Sequence, residues 1–176
     1  MLGKDYTDQD CSLARALEVI GERWTMLVLR DAFYGVRRFS DFVAHLDIPR
    51  AVLADRLRRL VDAGLLDRQP DASRAGRDGY VLTRSGRELW PAMHALMRWG
   101  SRFSTRPGTP RQFRHADCEE RLDEHSACPR CGVVPAAEDV VTVGRRSGPS
   151  RDDAVSHALQ PPRRLLEPLI LDDATG

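Results

Sequence analysis

Residues 40–64 read SDFVAHLDIPRAVLADRLRRLVDAG, two helical patterns separated by a short break. Phe42, Val43 and Leu46 share one face behind Ser40, whose hydroxyl suits an N-cap. Asp47, Ile48 and Pro49 then interrupt the pattern. The chain restarts with Pro49 in the tolerated first helical position, and Gly64 supplies a C-terminal stop. Along this second helix Leu53, Leu57, Leu60 and Val61 fall on one side, while Ala51, Asp55, Arg58 and Arg59 fall on the other. A short helix, a tight turn and a second helix with an apolar inner face and an arginine-bearing outer face suit a major-groove reader. The groove is about 12 Å wide and admits one helix, and arginine can grip guanine O6 and N7 with two hydrogen bonds. Arg50 and Ala51 would then lie deepest, with Arg58 and Arg59 placed further along for phosphates. Arg38, Ser40, Pro49 and Asp55 complete the predicted DNA-facing set.

Working outward, Leu13, Ala16, Leu17 and Ile20 predict a first helix ending at Gly21. A second, buried helix runs from Trp24 through Met26, Leu27, Val28, Leu29, Ala32 and Phe33 to Gly35. On the other side, Leu65–Gln69 and Tyr80–Leu82 read as two strands around a turn-rich Pro70–Gly79 segment carrying Arg74 and Arg77. Such a hairpin is a wing, whose tip arginines can follow the DNA backbone or enter the minor groove. Thr83 or Ser85 can cap a closing helix, in which Pro91 would cause a kink if the helix starts that early. Leu89, Met93, Leu96, Trp99 and Phe103 form its stripe, with Met97 widening the apolar surface, and this reads as a homodimer interface. The predicted fold class is mainly α (α+β), a winged helix-turn-helix with a small C-terminal Cys/His extension.

Charge agrees without deciding the matter. The net charge of the 176 residues is only +1, yet residues 36–87 carry eleven arginines against seven aspartates. A locally basic surface suits nucleic acid. The hydrophobic (41%) and charged (30%) fractions are those of a soluble globular chain, which argues against wholesale disorder and against a membrane protein. No apolar run nears the roughly 18 residues of a membrane span, and the first ten residues lack a basic-then-apolar signal, so the expected location is the cytoplasm.

Together the segments CSLARALEVIGERWTMLVLRDAFYGVRRFSDF, VLADRLRRLVDAGLL, YVLTRSGREL and MRWG resemble the HxlR family of bacterial winged helix-turn-helix transcription regulators, over roughly residues 10–104. The resemblance implies a homodimer built through the first and last helices of the domain, bound to a pseudo-palindromic double-stranded operator. It leaves open the small-molecule, redox or electrophile signal, and a repressor is the expected mode. Several family members act through a cysteine just before the first helix, the position of Cys11 here. A thiol at a helix N-terminus gains thiolate character, and Arg15 can add to it. A small packing residue in the dimer seam is the other reading of Cys11.

Beyond a linker at 105–111, His115, Cys118, Cys128 and Cys131 form H-x2-C-x9-C-x2-C in a predicted extension at 112–143. Paired soft ligands on tight turns suit a structural, four-coordinate Zn2+ site. Glu119 stands where such a first knuckle usually has glycine, and His125 is a substitute fourth ligand. A Cys128–Cys131 disulfide and free thiols are the competing readings. Four protein ligands would leave no open position for substrate, and no catalytic residues are expected. Residues 144–176 read as a flexible tail with a short apolar segment at Leu165, Leu166 and Leu169–Leu171, and 1–10 as an N-terminal arm. The main functional alternative is a protein-interaction module, in which the knuckle recruits a partner and the winged helix is only a scaffold.

Overall fold

The structure is a computed structural model that describes residue 6 and residues 8–70, 78–103, 111–144 and 151–171. The apolar periodicities of the N-terminal half become α1 (Ser12–Ile20), α2 (Thr25–Phe33), α3 (Phe39–Leu46) and α4 (Arg50–Asp62). Helix α2 is the hub: Val28, Leu29 and Phe33 are fully buried, and the helix packs against α3 and α4. Asp47 ends α3 in the left-handed region (φ 53°), which turns the chain sharply enough to bury Ile48 before α4 begins. Leu53, Leu57 and Leu60 then face inward with at most 1% exposure, as the 3.6-residue period requires. Each such leucine contributes about 1.5–3 kcal/mol by leaving water, so the inner face of α4 fixes its outer face.

Two caps differ from the sequence reading. Arg38, in extended conformation, occupies the N-cap of α3, and Ser40 lies inside the first turn, donating from Oγ to Asp41 Oδ1 at 3.0 Å. Pro49 is itself the N-cap of α4, because its backbone (φ −56°, ψ 131°) stays outside helical geometry while its carbonyl accepts from Leu53 N.

Strands β1 (Leu66–Pro70) and β2 (Asp78–Leu82) pair antiparallel, with Leu66 opposite Leu82 and both buried at the root of the hairpin. Thr83 caps α5 (Arg84–Arg87), its Oγ1 accepting from Gly86 N, and the Thr83 and Ser85 hydroxyls both donate to Gly64 O. The closing helix restarts as α6 (Trp90–Phe103). Pro91 therefore falls in its first turn, where the missing N–H has no intrahelical role, and a kink is not required.

The C-terminal third is not an independent module. Strands β3 (Gln112–His115), β4 (Val140–Val143) and β5 (Arg163–Arg164) form one antiparallel sheet in that order. Phe113 packs edge-on to Trp90 at 5.1 Å, and Trp90 meets Phe33 at 5.5 Å, so the sheet shares the core of the helical part. The expected flexible tail is corrected within 151–171. Helix α7 (Ala154–Ala158) packs on α3, and β5 pairs with β4. The following segment then straps the α2–α3 turn, with Leu166 N donating to Phe33 O and Leu169 N to Gly35 O, both at 2.8 Å. Val155, Leu159, Leu165 and Leu169 are buried in the common core. A proline- and arginine-rich composition concealed this order, because four spaced apolar residues were enough to dock a segment that cannot fold alone.

Candidate nucleic-acid interface and Cys/His cluster

Opposite its buried leucines, α4 presents Arg50, Ala51, Arg58 and Arg59, all exposed. Asp55 organises this face. Its Oδ2 accepts from Arg59 Nε and pairs with Arg56, each at 3.0 Å, while Oδ1 pairs with Arg58. Arg56 also reaches Glu22 at 3.4 Å. Three guanidinium groups thus share one carboxylate and are pre-positioned on one helix. Arg50 sits at the open N-terminal end, its guanidinium 5.9 Å from the Phe39 ring centroid. Pro49 and Ser40 are exposed beside it, whereas Arg38 is half-buried. On the hairpin stem Arg68 stacks over Tyr80 at 5.5 Å and donates to its hydroxyl at 3.2 Å. The sequence reading passed over Arg68, although its alternation with Tyr80 across the hairpin is the signal that could have found it. Arg74 and Arg77 lie outside the described residues.

His115, Cys118, Cys128 and Cys131 converge, with one ligand atom from each within 4.8 Å of the others. Two matching turns achieve this. Glu119 (φ 54°) and Gly132 (φ 74°) each follow a second ligand in left-handed conformation, so Glu119 adopts the backbone that glycine would supply. Glu119 N donates to His115 O, and Gly132 N to Cys128 O, closing the knuckles. His125 is exposed, lies outside the cluster and faces Glu124 at 3.7 Å. Burial opposes ionisation of Cys128, but the N–H groups of Cys131 and Arg130 and the side chains of His115 and Cys131 lower its thiol to about 6. Burial and hydrogen bonds with Cys131 and Cys128 push Cys118 up to about 11. A tetrahedral zinc with bonds of about 2.3 Å needs ligand atoms roughly 3.8 Å apart, so this donor set fits a metal with small adjustments.

A family model for HxlR-like helix-turn-helix proteins matches residues 19–107, which takes in α2, α3, α4, the hairpin and α6. The chain belongs to the HxlR-like family. An HTH-type transcriptional regulator of Mycobacterium tuberculosis, itself uncharacterised, is 48% identical over 130 residues, 73% of this chain and 82% of the relative. Another, from Methanothermobacter thermautotrophicus, is 32% identical over 106 residues, 58% of this chain and 81% of its own. Among solved structures, the transcription-factor candidate PA1607 superposes with a TM-score of 0.54 at 38% identity, over 58% of this chain and 71% of that one. This HxlR-like protein is thus a transcriptional regulator with a helix-turn-helix DNA-binding fold. Among the described residues no helix is long and apolar enough to cross a membrane.

In this HxlR-like protein α1, which precedes most of the matched stretch, and α6 expose apolar side chains. Leu13 (63%) and Leu17 project from α1, and Leu96, Trp99 (61%) and Phe103 (65%) from α6. Met93, grouped with that stripe by periodicity, is instead a core residue. Cys11 occupies the N-cap of α1 and is exposed, its side chain making no capping bond. Arg15, one turn on, is engaged by Glu18 at 3.1 Å and by the Tyr6 carbonyl. Between α2, α6 and β3 lies a cleft of about 760 Å³, lined by arginine and methionine side chains from distant parts of the chain. No local motif marks it in the sequence, since its walls come from α2, α3, α6 and two stretches around β3.

Proposed function

We propose that this protein is a homodimeric, sequence-specific DNA-binding regulator, acting as a repressor, that places α4 in successive major grooves of a pseudo-palindromic operator. The observation that carries this reading is the single arginine face of α4, anchored from behind by Leu53, Leu57 and Leu60 and braced by Asp55. Arg50 and Ala51 read base edges, while Arg58 and Arg59 hold phosphates together with Arg38, Ser40 and the wing arginines Arg74 and Arg77. The exposed apolar edges of α1 and α6 supply the dimer contact. A repressor released by a small-molecule or electrophile signal needs a reachable sensor. Cys11, exposed at the start of α1 and so beside the proposed seam, is the thiol through which an electrophile would act.

The metal we assign to His115, Cys118, Cys128 and Cys131 is a structural Zn2+. When bound it supplies cross-linking of two loops and no reaction, because the four donors complete its coordination. The surrounding chain holds the donors in place. His115 is fixed by pairing of β3 with β4, and Cys128 by its N–H to Val133 O at 2.8 Å. The shared core makes the extension a brace of the DNA-reading domain, which speaks for a regulator over a free recruiting module.

The test is fluorescence anisotropy on matched and scrambled duplexes. An Arg50→Ala change is expected to cost about 1–3 kcal/mol on the matched site and little on the scrambled one. Equal losses on both would remove Arg50 from base reading.

A further inference from the structure

Five arginines, Arg30, Arg98, Arg102, Arg111 and Arg121, line the cleft between α2, α6 and β3, and among the described residues its lining includes no aspartate or glutamate. Arg30 and Arg111 are held in place. Arg30 pairs with fully buried Asp31 at 2.7 Å, and Arg111 Nη1 donates to Leu159 O at 2.7 Å. Their guanidinium groups lie 5.8 Å and 5.0 Å from the centroid of the Tyr34 ring. Arg98, Arg102 and Arg121, by contrast, have no carboxylate partner within ion-pair distance among the described residues. The rest of the wall is apolar and adaptable: Met26, Met93, Met97, Phe113 and Leu122. Methionine reshapes to irregular ligands, and pockets of about 300–1,000 Å³ take small organic molecules.

Solvated surface arginines normally spread among carboxylates. Here cations converge on an apolar hollow of about 760 Å³, answered only in part by Asp31, which pairs with Arg30, and by Asp123, which faces Arg98, so an anion is favoured over a neutral ligand. We infer that the cleft binds an organic carboxylate with an apolar body, an aromatic or short acyl acid, its carboxylate held by Arg98 and Arg121 and its body against Met93, Met97 and Phe113. Only the consequence of binding, a change in operator affinity, rests on the regulator reading above. The mechanical basis for that consequence is direct, because Met26, Leu27, Arg30 and Tyr34 of the wall belong to α2 and its C-cap, and α2 packs on both α3 and α4.

The probes are 2-naphthoate and its neutral counterpart 2-naphthamide, titrated calorimetrically into the full chain. The expected result is naphthoate binding at least about tenfold tighter than naphthamide. An Arg98→Gln/Arg121→Gln double variant should then lose about tenfold toward naphthoate and stay level toward naphthamide. Arg121 is exposed and Arg98 partly exposed, and an unchanged thermal transition would establish that the variant is folded. A second variant, Met97→Gln, should weaken both probes. Equal affinities for the two probes, no naphthoate binding at millimolar concentration, or a folded double variant that binds naphthoate like wild type would overturn the site. Parallel anisotropy on a selected duplex keeps the readings apart: naphthoate binding with unaltered DNA affinity supports the site and retires only its role as the signal.

Discussion

The strap of the C-terminal segment over the α2–α3 turn makes a sharp prediction at Gly35. Gly35 has φ +87°, and a Cβ built there would lie 1.8 Å from the backbone oxygen of Glu167. Gly64 is the natural control, since it has φ +68° and nothing within 4 Å of its virtual Cβ. Alanine pays about 1–2 kcal/mol for a left-handed backbone at either site, offset by about 0.4–1 kcal/mol from a less flexible unfolded chain. Gly64→Ala should therefore cost roughly 1 kcal/mol. At Gly35 the obstacle is backbone, which no rotamer change relieves, so the strap must lift. Lifting breaks the Leu166 N to Phe33 O and Leu169 N to Gly35 O hydrogen bonds and exposes Leu169. At about 0.5–1.5 kcal/mol per bond and 1.5–3 kcal/mol for the leucine, the extra cost is about 2.5–6 kcal/mol. Urea unfolding of the two variants measures the difference, and thermolysin should cut Gly35→Ala selectively within 151–171. Equal destabilisation of the two variants, within about 0.5 kcal/mol, would refute a packed strap.

Three further outcomes follow from the same structure. Trp99→Glu, which places a charge on the exposed apolar edge of α6, should convert the proposed dimer to monomer in light scattering while keeping the helical signal; an unchanged dimer mass would move the seam elsewhere. Chelation with a colorimetric reporter should release about one zinc per chain, and Cys128→Ser should prevent loading; even a 3 kcal/mol loss would lower Tm by roughly 6–12 °C, and an unchanged Tm with no zinc released would leave the cluster as free thiols. Burial, with Arg98 adding to it, lowers His94 from 6.5 to about 4. The folded chain therefore keeps this histidine neutral where the unfolded chain takes up a proton. Its contribution is complete above pH 6.5 and lost progressively as pH falls toward 4, by at most about 3 kcal/mol. His94→Gln should flatten that slope between pH 6.5 and 4.5, and parallel slopes would contradict the assignment.

Much of the DNA-reading half was legible because its signals are local. Leu53, Leu57 and Leu60 announce the inner face of α4 by spacing alone, and the Asp47–Pro49 break announces the turn before it. The convergence of His115, Cys118, Cys128 and Cys131 was legible for the same reason, since each pair sits on one turn. Glu119 carried the opposite lesson: its side chain hid a left-handed backbone in a turn closed by the Glu119 N to His115 O hydrogen bond. What the sequence concealed is non-local. Leu166 and Leu169 find their partners across more than a hundred residues, and the arginines of the cleft are brought together by α2, α6 and the β-sheet. Ser40 shows the limit of local rules even at a helix start, because α3 begins two residues earlier, with Arg38 at the cap.

The central claim is that α4 of a two-fold dimer reads a specific operator. Selection of bound sequences from a random duplex pool by the full chain tests it most directly. A two-fold motif with half-sites about one helical turn (10–10.5 bp) apart is the predicted result, and it should disappear when Arg50 and Arg59 are replaced by alanine. A pool that stays unenriched, with binding that depends on salt but not on sequence, would contradict it.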